Sequence, residues 1–155
     1  MLLRGTRCGI LMKAPQKSGA EVRVVVDLFV PGEGSFQWQS IETELNKRVF
    51  DLDGKPHPWA IRTWMGACMD GARSALKAMQ MERDALIIVV DVGGKVTDEG
   101  THWFHLASRV AILRALGGEH YLPPEAKDWE VPFWQIWPIQ MDREQHIYHV
   151  EGFPQ

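Results

Sequence analysis

Residues 21–30 read Glu-Val-Arg-Val-Val-Val-Asp-Leu-Phe-Val, a run rich in β-branched side chains. Apolar residues such as Val24 and Leu28 alternate along it with the charged residues Arg23 and Asp27. An alternation with a period of two residues is typical of a strand that has one face on a hydrophobic core. The pattern therefore predicts a half-buried strand.

Three further strands are predicted around this one. Residues 5–13 precede it across the turn-rich connector Ala-Pro-Gln-Lys-Ser-Gly, and residues 36–41 follow it with Phe and Trp on one face. Residues 47–52 form a weaker fourth candidate. Because short links join all four segments, we expect an antiparallel meander.

A helical pattern follows the predicted strands. Its apolar residues are Ile61, Trp64, Met65, Cys68, Ala72, Ala75, Leu76 and Met79. This spacing places them on one face of a helix with 3.6 residues per turn, and Pro58 suits its first turn. The apolar run at residues 86–92 then predicts a central strand that is buried on both faces.

A second helix is predicted to begin near Thr97 or Thr101 and to end near Leu116, where two glycines stop it. Its inner face would carry Trp103, Leu106, Ala107, Val110 and Leu113. Residues 123–155 combine five prolines with many aromatic residues. Since proline interrupts regular structure, we expect no long element there but an extended aromatic arm, with a late strand at residues 145–150.

These elements together predict one α+β domain over residues 1–155. Its body, residues 1–122, would be an antiparallel sheet of four to five strands packed by two helices, in the order β-β-β-β-α-β-α. Residues 123–155 would be the aromatic arm, packed on that body.

The composition agrees with a folded domain that has one core. The chain has 155 residues, of which 45% are hydrophobic and 24% charged, as in ordinary globular domains. No apolar run approaches the roughly 20 residues of a membrane helix, and the first residues lack the apolar segment of a secretory signal. Cys8 and Cys68 belong to no paired motif, so we expect reduced thiols. We therefore expect a soluble, cytoplasmic protein without a membrane partner.

The charge is uneven along the chain. Residues 1–80 carry 11 Lys and Arg against 8 Asp and Glu, whereas residues 81–155 carry 6 against 12. The basic residues nearest to a cluster are Arg4, Arg7, Lys13, Lys17 and Arg23. This set is too sparse for a nucleic-acid site, and solvated charges on edge strands explain it better. Nucleic acid is therefore not the expected partner.

One segment carries a family resemblance. The residues Val90-Asp-Val-Gly-Gly-Lys-Val-Thr-Asp98 are similar to the phosphate-binding turn of the actin and sugar-kinase ATPase superfamily, which implies a nucleotide phosphate held by backbone N–H groups. The resemblance covers nine residues, and Lys95 stands where a third glycine is usual. That fold also needs two lobes, which 155 residues cannot supply. A strand followed by a Gly-Gly turn is the favoured interpretation.

Two histidine pairs raise the question of a metal site. His102 and His105 are three residues apart on the second predicted helix, so both could bind one zinc ion, with Glu99 one turn earlier. A further ligand would have to come from His120, His146 or His149. A small metal-dependent hydrolase that uses His102, His105 and a carboxylate is therefore the alternative function. The spacing matches no established zinc motif, so we expect no cofactor, and surface histidines are favoured.

No other catalytic group stands out. None of the serines lies in a Gly-x-Ser-x-Gly motif, and Cys68 lies on the apolar face of the first helix, where a core residue is expected. An enzyme is therefore less favoured than a binding protein.

Tryptophan is unusually frequent, with seven residues in the chain. Trp38, Trp59, Trp64 and Trp103 fall on predicted inner faces or at element ends. The other three lie in the acidic arm, and the predicted partner-binding residues are Asp128, Trp129, Glu130, Phe133, Trp134 and Trp137. Tryptophan is enriched at binding hot spots, and acidic rims attract basic partners. We therefore predict a non-enzymatic protein-binding module, such as an inhibitor or immunity-type protein, that uses this surface to neutralise a partner with a basic contact surface.

Overall fold

The computed structural model describes residues 2–15, 20–29, 39–40, 60–80, 86–95, 100–118, 120–142 and 147–150. They form an α+β fold, as predicted. The strands are β1 Leu2–Lys13, β2 Glu21–Phe29, β3 Gln39–Ser40, β4 Leu86–Lys95, β5 Glu130–Asp142 and β6 Ile147–Val150. The helices are α1 Ala60–Ala78 and α2 Gly100–Ala115, and one 3-10 turn, Pro124–Ala126, precedes β5.

The sheet has the strand order β3-β4-β2-β1-β5-β6. β1 and β2 form the predicted hairpin, with Arg7 opposite Asp27. The expected meander is wrong at β3, which pairs parallel to β4 and not next to β2. The predicted fourth strand at residues 47–52 lies outside the described residues.

β4 explains this change in strand order. Val89 and Val92 are buried in the cluster that includes the helices, while Ile88 and Val90, on the same strand, are buried outside that cluster. A strand that is apolar on both faces is favoured in the interior of a sheet, where both of its edges can also be paired. β4 therefore lies between β2 and β3, and the prediction of a central, doubly buried strand is confirmed.

The arm contains a long strand, contrary to the expectation that its prolines would prevent one. β5 is 13 residues long and pairs antiparallel with β1. Pro132 lies where the β1–β5 register shifts, and Pro138 lies one residue before the β5–β6 pairing begins at Ile139. Because proline lacks only the N–H donor, a strand tolerates it at a bulge or where that N–H would face away from the neighbouring strand.

The hydrophobic core lies between the sheet and the two helices. Cys8, Ile10, Val24 and Val26 point from the sheet into it, and α2 contacts β1, β2 and α1. The predicted inner face of α1 is confirmed from Trp64 to Leu76. Its buried residues are Trp64, Met65, Cys68, Ala72, Ala75 and Leu76. None of the helices in the described ranges is long and apolar enough to cross a membrane.

The end of α1 differs from the sequence prediction, whereas the end of α2 agrees with it. Met79 was expected on the inner face, but it follows the last residue of α1 and is 45% exposed. α2 ends as predicted at its glycines, because Gly117 adopts a positive φ of 121° and the Gly118 N–H donates to the Leu113 carbonyl at 3.1 Å. This backbone conformation is favourable for glycine and closes the last helical turn.

Candidate functional site

The three tryptophans of the arm pack β5, and the residue just before it, against the rest of the fold. Trp129 is buried, and its ring centroid lies 4.8 Å from that of Trp103 on α2. Trp137 is buried over Gly9, where a Cβ would come within 2.9 Å of the indole ring. Trp134 is half-buried, and the Arg114 guanidinium lies 5.9 Å from its ring centroid. These rings therefore fix β5 to the rest of the fold.

Other predicted partner-binding residues are exposed. Asp128 and Glu130 are exposed, and Phe133 is 41% exposed. Ile136, which the sequence analysis did not select, is 49% exposed. Among the described residues, the exposed large hydrophobic side chains are Met79, Phe133 and Ile136, so two of the three lie on β5. We call Asp128, Glu130, Phe133, Trp134 and Ile136 the β5 rim.

The strand register shows how the two apolar residues of the β5 rim are arranged. Phe133 lies opposite Leu11 of β1, and Ile136 lies opposite Cys8. Since neighbouring side chains alternate across a strand, residues three apart point to opposite faces. Phe133 is supported by Trp137, whose ring centroid is 6.1 Å away. The β5 rim therefore offers apolar surface on both sides of one strand.

The backbone along the β5 rim is less suited to a partner. In the described part of the chain, no strand pairs with the outer edge of β5 before Ile139. Pro132 and Pro138 lie in this stretch and remove two N–H donors from it. Prolines on an edge strand disfavour the addition of further strands. Contact through side chains is therefore favoured over extension of the sheet.

The charge around the β5 rim is only slightly acidic. Glu125, Asp128 and Glu130 are exposed, but so is Lys127. Lys13, also exposed, lies opposite Glu130 on β1. The acidic excess of residues 81–155 is thus partly balanced at this surface.

The sheet face opposite the helices holds a buried ion pair. The Arg7 guanidinium donates from Nε to Asp27 Oδ1 at 2.7 Å and from Nη2 to Oδ2 at 3.0 Å, and both residues are buried. Burial raises the pKa of Asp27, while hydrogen bonding to Arg7 and its charge act in the opposite direction. With both carboxylate oxygens occupied, this pair is suited to joining β1 and β2 and not to proton transfer.

The structure shows the contacts or exposure of four of the five basic residues near the N-terminus. Arg7 pairs with Asp27, and Arg23 Nη2 lies 3.5 Å from Oδ2 of the buried Asp91. Arg4 and Lys13 are exposed, whereas Lys17 lies outside the described residues. The interpretation as edge-strand charges is wrong, because β4 and β5 flank the hairpin and make β1 and β2 central strands.

The Asp-x-Gly-Gly segment forms part of the sheet. Gly93 and Gly94 lie in β4 opposite Arg23 and Val22, so the strand does not end before them as expected. Gly94 has a φ of 143°, and a Cβ there would overlap the Glu21 carbonyl oxygen. The glycines thus permit a close strand approach. Within the described part of the segment, which ends at Lys95, the backbone is extended strand and not the phosphate-binding turn that the resemblance implies.

Two of the histidines, His102 and His105, lie on α2, and His120 lies in the turn after it. His102 and His120 are exposed, and His105 is half-buried. The described residues contain no group of three or more His, Cys, Asp or Glu that could hold a metal ion. Glu99, His146 and the side chain of His149 lie outside the described part, so the alternative of a zinc site at His102 and His105 stays a hypothesis.

His105 should make stability depend on pH. Burial lowers its pKa, the charges of His102 and Arg109 lower it further, and Asp70 and Glu125 oppose the shift. A histidine whose pKa is lower in the folded state stabilises the fold above its unfolded pKa, about 6.5, and this contribution is lost as the pH falls below that value. We therefore expect His105→Gln to lose less stability than the wild type between pH 7.5 and 5. Urea unfolding at both pH values measures this, and an identical loss in both proteins would contradict it.

The remaining nucleophile candidates have structural roles. Cys8 and Cys68 are buried free thiols, and burial raises the pKa of both, which makes the reactive thiolate unfavourable. Ser108 donates to the Cys68 carbonyl at 2.6 Å, and Ser74 donates to the Gly71 carbonyl at 2.8 Å. The prediction that Cys68 is a core residue is confirmed.

The comparisons with known proteins identify no family for the chain. No protein-family model matches the chain, and no curated protein matches its sequence. The candidate site is therefore defined by the geometry of the β5 rim.

Proposed function

We propose that this chain is a non-enzymatic protein-binding module that contacts its partner through the β5 rim. The observation that carries the proposal is the exposure of Phe133 and Ile136, 41% and 49%, three residues apart on one strand. Complete burial of a large apolar side chain contributes about 1.5–3 kcal/mol, so covering the exposed part of each contributes about 1 kcal/mol. A partner that covers both side chains therefore gains about 2 kcal/mol from these two residues.

Rigid support strengthens this surface as a binding site. Phe133 rests near the ring of Trp137, and Trp137 is itself buried over Gly9. Trp129 is packed on Trp103 at the start of the strand. Because the aromatic residues hold β5 in place before binding, little conformational entropy is lost when the partner docks.

The geometry favours a partner that approaches the strand edge-on. Phe133 and Ile136 point to opposite faces of β5, so only a surface that reaches around the edge covers both. Asp128 and Glu130 would then lie at its margin, where acidic side chains attract basic groups and speed up encounter. Proteins that act on nucleic acids carry basic surfaces. An inhibitor or immunity-type protein that blocks a toxin or nuclease is the form of this function that we favour.

Co-purification from the native source tests the proposal. We expect the tagged chain to retain a stoichiometric partner and the double variant Phe133→Ala/Ile136→Ala to bind it at least about 30-fold more weakly, as for loss of a hot spot. Met79→Ala is the matched control, because Met79 is 45% exposed but lies beyond the end of α1. Retained binding in the double variant, or equal loss in the control, would remove the β5 rim from the interface.

The proposed attraction between the acidic residues of the β5 rim and a basic partner can be tested separately. Glu130→Lys should slow association with a basic partner, and the difference from the wild type should shrink at high salt because exposed charges are screened. Association rates measured at low and high ionic strength decide this. A partner whose association rate is unaffected by the substitution is not recognised through this charge.

A further inference from the structure

We draw no further inference here: the strongest candidate, the patch on the sheet face opposite the helices where Leu11, Arg23 and Phe133 lie in one row across three strands, carries no proposal because nothing in the described part of the chain shows what covers it.

Discussion

Arg7→Met should lower the free energy of unfolding by about 3–5 kcal/mol, the range found when one partner of a buried ion pair is removed. The substitution takes away both hydrogen bonds from Arg7 to Asp27, whose side chain is fully buried in the sheet. A carboxylate left there without its guanidinium partner is unfavourable in its charged form. Equilibrium unfolding in urea at pH 7 measures the loss.

Two further measurements separate this cause from a general disruption of the strand. The double variant Arg7→Met/Asp27→Leu should recover most of the lost stability, since an apolar replacement of a buried pair is often neutral. In Arg7→Met alone, burial raises the pKa of Asp27 above its unfolded value, about 3.9, so the deficit should shrink as the pH falls toward 4. A deficit that is independent of pH, with a double variant no more stable than the single one, would contradict this role.

Gly71→Ala should destabilise the protein by about 3 kcal/mol, at the upper end of overpacking effects. A Cβ on Gly71 would overlap the His105 backbone oxygen and lie 2.9 Å from its carbonyl carbon. These are backbone atoms of α2, so the two helices must move apart to make room. The higher helix propensity of alanine, about 1 kcal/mol, is too small to compensate.

Gly66 provides the matched control on the same helix. Among the described residues, a Cβ there meets no atom within 4 Å apart from the nearby backbone of its own helix, and the residue is exposed. Gly66→Ala should therefore stabilise the protein by about 1 kcal/mol and raise the melting temperature by about 2–4 °C. Thermal unfolding of the two variants should shift in opposite directions, and shifts of the same sign would show that helix packing at Gly71 is not as close as described.

The elements that the sequence predicted well are those whose pattern reflects local burial. The alternation around Val24 marked β2, the apolar run ending at Val92 marked β4, and the spacing from Trp64 to Leu76 marked the buried face of α1. Each pattern records which side of an element meets the core, and that side is set by the residues of the element itself.

Strand neighbours were harder to predict, because pairing is decided between distant segments. The meander required β3 beside β2, but β4 takes that position. The prolines of the arm suggested a break, yet Pro132 and Pro138 lie within β5. A count of prolines does not show whether the missing N–H would have faced a neighbouring strand, and that depends on the register with β1.

The candidate site lies on the arm that the sequence analysis selected, but the exposure of its residues differs from what the composition suggested. The aromatic arm was selected for its tryptophans, and Trp129 and Trp137 are buried instead of exposed. Large aromatic side chains serve equally well in cores and in interfaces, so composition alone does not separate the two uses. The sequence pattern holds no signal for the exposure of Ile136, because alternation places it on the face of Trp134, opposite Phe133 and Trp137, where a core position is expected.

Site-specific photo-crosslinking tests the role of the β5 rim most directly. A photoreactive amino acid placed at position 136 should crosslink the chain to one partner protein in extract from the native source, giving a single adduct of defined mass. The same probe at position 79, which is also exposed in the wild type, should give no such adduct. Equal crosslinking from both positions, or a partner that crosslinks only from position 79, would contradict the proposal that the β5 rim is the binding surface.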